Sequence, residues 1–243
     1  MALILRTLSA TFFDGHHIAP HSHPWGQLIY AASGVMRVRA GDMLWVTPPA
    51  QAVWAPAGAR HEIWARGEFA MRTLYLREDL ARTLPADCRG LQVSPLLREL
   101  ILHAAGLMLL EEDDPSHQRI AELAAEQIAA APALPLNLPF PRDARALKLA
   151  RRLQQNPADA AELAAMARDA GASVRTLQRL FLDETGLRIA QWRQRLRLLH
   201  AASVLGLGAS VTDAGLEAGY GSSSAFIAAF RNAFGSTPGR FAG

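Results

Sequence analysis

Apolar and polar positions alternate in short runs over the first third of the chain, at residues 27–30, 35–39, 43–46 and 71–76, with Gly and Pro punctuating the gaps. Alternation sends successive side chains to opposite faces of a strand, so the pattern predicts a β-sandwich or barrel over residues 18–75. Past Leu80 the period lengthens. Ser94-Pro95 suits a helix start, and Leu96, Leu97, Leu100, Ile101 and Leu107 recur at helical spacing. A second amphipathic run follows Pro115, with Ile120, Leu123, Ala124 and Ile128 on one face. Pro132, Pro135, Pro139 and Pro141 then exclude a helix interior and predict a semi-rigid linker. Beyond it nearly every segment is helical. The expected fold class is α+β in two domains: a barrel over residues 1–90, a helical segment over 91–131, the linker over 132–141 and an all-α domain over 142–243.

The all-α domain repeats itself. Ser173, Leu177, Phe181 and Gly186 recur 49 residues later as Ser222, Phe226, Phe230 and Gly235. The serines suit N-caps and the glycines suit helix C-termini. A short helical stretch and a glycine precede each copy, at 163–168 before Gly171 and at 211–218 before Gly219, with the small residues Ala167 and Gly215 four positions ahead of those glycines. Two helices joined by a tight glycine turn, the second amphipathic, form the arrangement that seats a helix in the DNA major groove. On the first copy, Arg175, Gln178 and Arg179 share the face opposite Leu177, Leu180 and Phe181, where arginine can grip guanine and glutamine adenine. The matching positions of the second copy are Ser224, Ile227 and Ala228, with Ser222 and Ser223 beside them, all short or apolar. The expectation is that the first copy carries most direct base readout from Ser173, Arg175, Gln178 and Arg179, and that the second anchors on phosphate through Arg231 and its backbone amides.

Charge supports that division. Residues 1–141 sum to −3 and residues 142–243 to +6, so the basic surplus lies where phosphate would be met. The single cysteine, Cys88, leaves no intramolecular disulfide and no cysteine cluster for zinc, which fits a reducing, cytoplasmic setting. The start of the chain lacks the charged and apolar regions of a signal peptide, and the longest apolar stretch, residues 100–110, is far short of the ~20 residues that cross a bilayer. No membrane span is expected. Nor is a Ser-His-Asp arrangement or a phosphate-cradling glycine loop readable.

The run from Gly219 to Phe241, with Phe234-Gly-Ser-Thr-Pro238, and the Leu177-Gln-Arg-Leu-Phe181 segment resemble the DNA-binding domain of AraC/XylS-family regulators. That resemblance covers residues 142–241 and implies two helix-turn-helix motifs, joined by a long helix near residues 189–205, reading successive major-groove segments of a double-stranded operator. Gly215 and Ala218 stand where the family usually has a bulkier pair.

The N-terminal region is similar to the two cupin motifs: Gly15, His21-Ser-His23, position 27 and Gly34 match the first, and Pro56-Ala-Gly58 with His61 the second. Gln27 replaces the usual glutamate and Ala65 the usual asparagine. The resemblance implies a barrel in which His21, His23, His61 and Gln27 hold one divalent transition metal (zinc, iron, nickel or manganese), or instead hydrogen-bond an organic effector, with Trp25, Trp45 and Trp54 as candidate walls of an effector pocket. The leading expectation is a non-enzymatic regulator that answers a small molecule or metal, as a homodimer through the Leu96, Leu100, Ile101 and Leu107 stripe. A cupin oxygenase or isomerase with a helical appendage is the alternative.

Overall fold

The computed structural model describes residues 2–134 and 137–242, so Pro135 and Leu136 of the expected linker lie outside the described residues. The chain forms two compact units, Met1–Gly41 with Trp45–Leu134, and Pro135–Gly243 with Asp42–Leu44.

The first unit holds an antiparallel sheet of strands β1 (Leu3–Phe12), β2 (His17–His21), β3 (Gly26–Ala40), β4 (Met43–Thr47), β5 (Gln51–Ala55), β6 (His61–Leu76), β7 (Arg89–Gln92) and β8 (Leu109–Glu111), with helices α1 (Glu78–Ala81), α2 (Pro95–Leu107) and α3 (Pro115–Ala130). The main strand order is β7-β5-β3-β6-β1-β8, with β2 on β6 and β4 on β3. The segments 27–30 and 35–39, expected as separate strands, are one long strand. Gly34 turns it without ending it: its φ is +72°, and a Cβ there would lie 2.2 Å from the Glu68 carbonyl oxygen, so only glycine fits. The pairing with β6 shifts register on either side of Ser33.

Alternation sorts the side chains of this sheet into two layers. Leu28, Tyr30, Ala52, Trp54, Leu74 and Leu76 form one core with Leu97, Ile101 and Ala104 of α2 and Ala121, Ala124 and Ile128 of α3. The opposite face carries Gln27, Thr73 and Tyr75. Ser94 caps α2 by accepting from the Leu97 amide, and Asp114 caps α3 by accepting from the Ser116 and His117 amides. Both helices pack on their own sheet, and Ile101 is fully buried there. The segment 91–131 is thus part of the sheet's core rather than a separate layer.

The second unit contains β9 (Leu138–Pro139), α4 (Ala144–Gln155), α5 (Leu163–Asp169), α6 (Val174–Thr185), α7 (Ile189–Gly206), α8 (Val211–Glu217), α9 (Ser223–Phe234) and α10 (Pro238–Ala242). Its organiser is α7, which buries Ile189, Trp192, Leu196, Leu199 and Leu205 among other residues. The Trp192 ring meets Phe181 of α6 edge-on with centroids 5.6 Å apart, and its indole N–H donates to the Pro139 carbonyl at 2.6 Å.

The two helix pairs on α7 solve one packing problem in two ways. In α5–α6 the small residue is Ala167 and the buried partner helix presents Leu177. In α8–α9 the residue is Gly215, and a Cβ there would come 3.0 Å from Cδ1 of Phe226. The larger ring thus fills the space that the missing methyl leaves, which is why the second motif closes with a smaller residue. We expect Gly215→Ala and Phe226→Leu to be coupled: the double variant is destabilised less than the two single variants together by roughly 0.5–3 kcal/mol. Chemical denaturation of all four proteins checks this, and additive losses refute it.

Candidate functional site

The helical unit shows the expected repeat in atomic detail. Ser173 accepts from the Thr176 amide at 3.1 Å and Ser222 from the Ala225 amide at 3.3 Å, so both second helices begin with a serine cap. Both end on a left-handed glycine, Gly186 at φ +69° and Gly235 at φ +72°. The turns between the paired helices differ by one residue, since Gly171 lies two positions before its cap and Gly219 three.

Arg175, Gln178 and Arg179 are exposed on α6, and only Arg179 is engaged among them, by Asp183 at 3.3 Å. They border a groove of about 640 Å³ that Arg188 and Arg193 also line, above Leu163 and Leu182. Arg188 and Arg193 were not singled out from the sequence, because the turn that swings the start of α7 beside α6 carries no motif of its own. On α9 the exposed face presents Ser223, Ser224, Ile227 and Ala228, with Arg231 exposed further along. Only short or apolar groups are therefore available at the start of that helix.

In the sheet unit, β2, the loop after it and the start of β6 bring three imidazoles together. His21 and His61 are 4.4 Å apart between ring centroids and His23 and His61 5.2 Å. One nitrogen from each of the three lies within 4.8 Å of the others. The Nδ1 atoms face backbone carbonyls: His21 meets Ala19 at 2.9 Å, His23 meets Trp25 at 2.7 Å and His61 meets Ala59 at 2.9 Å. A carbonyl only accepts, so each Nδ1–H donates and each neutral ring keeps its lone pair on Nε2. His61 is almost completely buried, and its Nε2 has no hydrogen-bond partner. Burial, with smaller contributions from His21 and His23, pushes its pKa down to about 4, which keeps that lone pair free near neutrality.

Gln27 is oriented as firmly. Its amide N–H donates to the Thr73 hydroxyl at 2.9 Å, and that hydroxyl donates to the Leu28 carbonyl at 2.8 Å. The Gln27 carbonyl oxygen is thereby aimed at Nε2 of His23, 2.8 Å away. Two acceptors at that distance need a cation between them, either a proton that turns His23 into an imidazolium or a metal ion ligated by both. With ligand bonds near 2.0–2.2 Å, neighbouring donor atoms sit about 3 Å apart, so the pair fits a shared ion. The orphaned Nε2 of His61, the carbonyl-anchored tautomers and this facing pair all suit a divalent transition metal.

The tryptophans expected around the site separate. Trp25 stands beside it, its carbonyl bound by His23 and its ring 5.1 Å from the Arg6 guanidinium carbon. Trp45 packs over Gly90, where a Cβ would lie 2.9 Å from its ring. Trp54 belongs to the opposite face: it sits in the core with Leu28, Leu74 and the helices, and its indole donates to the Pro85 carbonyl at 2.8 Å. Strand β5 is buried on both faces, so its burial gives no cue to direction, and only its register opposite Leu28 reveals it. Two neighbours that sequence reasoning missed are Tyr75, whose ring meets His23 at 5.1 Å, and Arg6. Alternation along residues 71–76 could have signalled Tyr75. Arg6 lies on β1, which carries no motif.

Two capped helix-turn-helix pairs on one connecting helix, in a chain that also holds a sheet domain with a polar ligand site, define a DNA-binding transcription regulator with an effector domain. The AraC-like ligand binding domain family matches residues 7–182 and a helix-turn-helix domain family matches residues 166–243. The chain is 34% identical over 221 residues to the HTH-type transcriptional regulator NimR of Escherichia coli K12, covering 91% of this chain and 81% of that one. It is 29% identical over 214 residues to the HTH-type transcriptional regulator RipA of Corynebacterium glutamicum, covering 88% of this chain and 61% of that one. A fatty-acid-bound ToxT structure from Vibrio cholerae aligns with 99% of this chain and 94% of its own at 9% identity, with a TM-score of 0.41, too loose a superposition to inform the site. The chain belongs to the AraC family of transcription regulators. No helix among the described residues is long and apolar enough to cross a membrane.

Proposed function

We propose that this regulator is a cytoplasmic homodimer whose sheet domain senses an effector at a metal site formed by His21, His23, His61 and Gln27, and whose first helix-turn-helix motif reads most of the operator's bases. The observation that carries the sensor reading is the set of three imidazoles with Nδ1 tied to backbone carbonyls and nitrogens gathered within 4.8 Å. Imidazole and amide donors bring no negative charge to a metal, so a bound divalent ion would keep its full charge and supply Lewis acidity toward an effector oxygen. His61 and Gln27 are buried side chains each held by a hydrogen bond, so the site is preorganised.

The dimer reading rests on the second face of α2. That helix buries Leu97, Ile101 and Ala104, yet Leu96 and Leu107 are exposed on its other side, followed by exposed Met108 and Leu109. A two-fold contact through this apolar strip would bury it on both copies at once and bring two DNA-binding units to one operator. The readout reading rests on reach, since Arg175, Gln178 and Arg179 are long and exposed while the corresponding face of α9 is short.

Elemental analysis of full-length protein purified without an affinity-tag metal should find about one divalent transition metal per chain, and His23→Ala should lower that occupancy and blunt the effector response while basal DNA binding persists. Unchanged metal content in His23→Ala refutes ligation. Binding-site selection on randomised DNA should show Arg175→Ala or Gln178→Ala costing about 1–3 kcal/mol at particular bases, and Arg231→Ala weakening all sequences alike with a flatter salt dependence. The imbalance does not exist if the Ser223→Ala, Ser224→Ala double variant loses as much base preference as Arg175→Ala. Sedimentation at micromolar concentration should show a dimer that Leu96→Glu with Leu107→Glu converts to a folded monomer, and a wild-type monomer with and without operator DNA rejects the assembly.

A further inference from the structure

Beside the histidine cluster, β1 sends Arg6 toward the side chains of Tyr75 and Gln27, with which it shares one row across three strands: Arg6 pairs with Tyr75, and Tyr75 with Gln27. Its guanidinium carbon lies 4.7 Å from the Tyr75 ring centroid and 5.1 Å from that of Trp25. Two aromatic faces accept the cation's charge and hold its plane, but they supply no hydrogen-bond acceptor in that plane. Among the described residues the Arg6 guanidinium forms no ion pair and no hydrogen bond, and its Nε is buried without a partner. A half-buried guanidinium with unused donors, held between aromatic rings, is incomplete as a structural element. Arg77 of the same unit, by contrast, is bound by Asp79 and Glu112, while Arg37, among the described residues the other arginine here with a buried Nε and no acceptor, lies away from the clustered histidines and has no aromatic ring against it.

The chain of contacts from Arg6 to the imidazoles is short. Tyr75 bridges them, with its ring against Arg6 on one side and 5.1 Å from His23 on the other. The Tyr75 phenol adds a hydroxyl that can donate to an anion held there. Two residues along β1 on the same face as Arg6, Leu8 is exposed and offers apolar surface. The partly exposed face next to the histidines therefore presents a cation, a phenol and an apolar side chain, and none of Arg6, Trp25, Gln27 and Tyr75 brings a negative charge to oppose an anion.

We infer that the effector of this domain is a small monocarboxylate with an apolar body, its carboxylate held by the Arg6 guanidinium between Trp25 and Tyr75 and its body lying toward Leu8. This deepens the sensor reading above and rests on it, because Tyr75 touches both Arg6 and His23 and so sets the carboxylate beside an ion held by His21, His23 and His61. Planar, forked donors match a carboxylate in two parallel hydrogen bonds, and Gln27 in place of a glutamate removes the charge that would repel it. The alternative of a neutral polyol leaves Arg6 without its charge partner and makes no use of Leu8.

The test uses full-length protein in metal-free form and loaded with Co(II), with benzoate and its neutral isostere benzamide as probes. Benzoate should bind saturably, perturb the visible Co(II) bands and raise the unfolding midpoint, while benzamide binds at least about tenfold more weakly. Arg6→Ala should weaken benzoate by about tenfold or more with Co(II) stoichiometry unchanged, and Arg6→Lys should restore part of that loss. Equal benzoate affinity in wild type and Arg6→Ala, or equal affinity for the two probes, overturns the inference while the metal reading stands. If no Co(II) binds, the metal reading alone fails, and the metal-free arm decides: benzoate stabilisation that depends on Arg6 supports the carboxylate site, and its absence overturns it.

Discussion

Strand β6 pairs with β1, β2 and β3 together, and the sensor domain follows from that registration. Because side chains alternate, its sixteen residues must point His61 and Tyr75 one way and Leu74 and Leu76 the other. A slip of a single residue against any partner would turn Leu74 and Leu76 to the polar face and Tyr75 into the apolar layer under α2 and α3, so the hydrophobic layer itself enforces the polar site. The apolar contribution is large: each fully buried Leu or Ile side chain is worth about 1.5–3 kcal/mol relative to exposure. The imidazole of His61 can be carried in the interior only because that layer makes the register so expensive to lose.

The same logic of one constraint serving two ends appears in the helical unit. Serine caps and left-handed glycines fix where α6 and α9 begin and end, which leaves their faces free to differ. The inner faces differ by a compensating exchange, Ala167 with Leu177 against Gly215 with Phe226. The outer faces differ without compensation, long donors on α6 and short groups on α9. The two motifs thus share their caps and helix pairing while presenting different chemistry outward.

Much of this was readable from the chain. The 49-residue repeat, the serine and glycine signals and the proline-led helices at Pro95 and Pro115 all correspond to observed elements, because each is a local signal with a local physical cause. The convergence of His21, His23 and His61 was readable through motif spacing. What escaped was set at longer range. Gly34 read as a terminator although the strand runs through it, since a glycine that permits a bend and one that ends a strand look alike in one dimension. Trp54 was placed at the site on residue type alone, and its true direction depends on a register with Leu28 that sequence does not display. Arg6 gained its meaning only when β1 was laid beside β6.

Helix α7 has a consequence for the DNA itself. Its eighteen residues, at about 1.5 Å each, span ~27 Å, and both helix pairs pack against it, α6 at Trp192 and α8 at His200, with α9 bordering a groove beside Gln191 and Leu198. A flexible tether would let two motifs find half-sites at varied intervals, but a buried helix is a ruler with a fixed length and a fixed phase. One base pair inserted between the two contacted segments moves the second by about 3.4 Å and turns it by about a tenth of a helical turn around the duplex. Neither motif can follow without unpacking α7. An operator contacted by both motifs would therefore be constrained in spacing as well as in sequence, with that spacing written in the length of one helix.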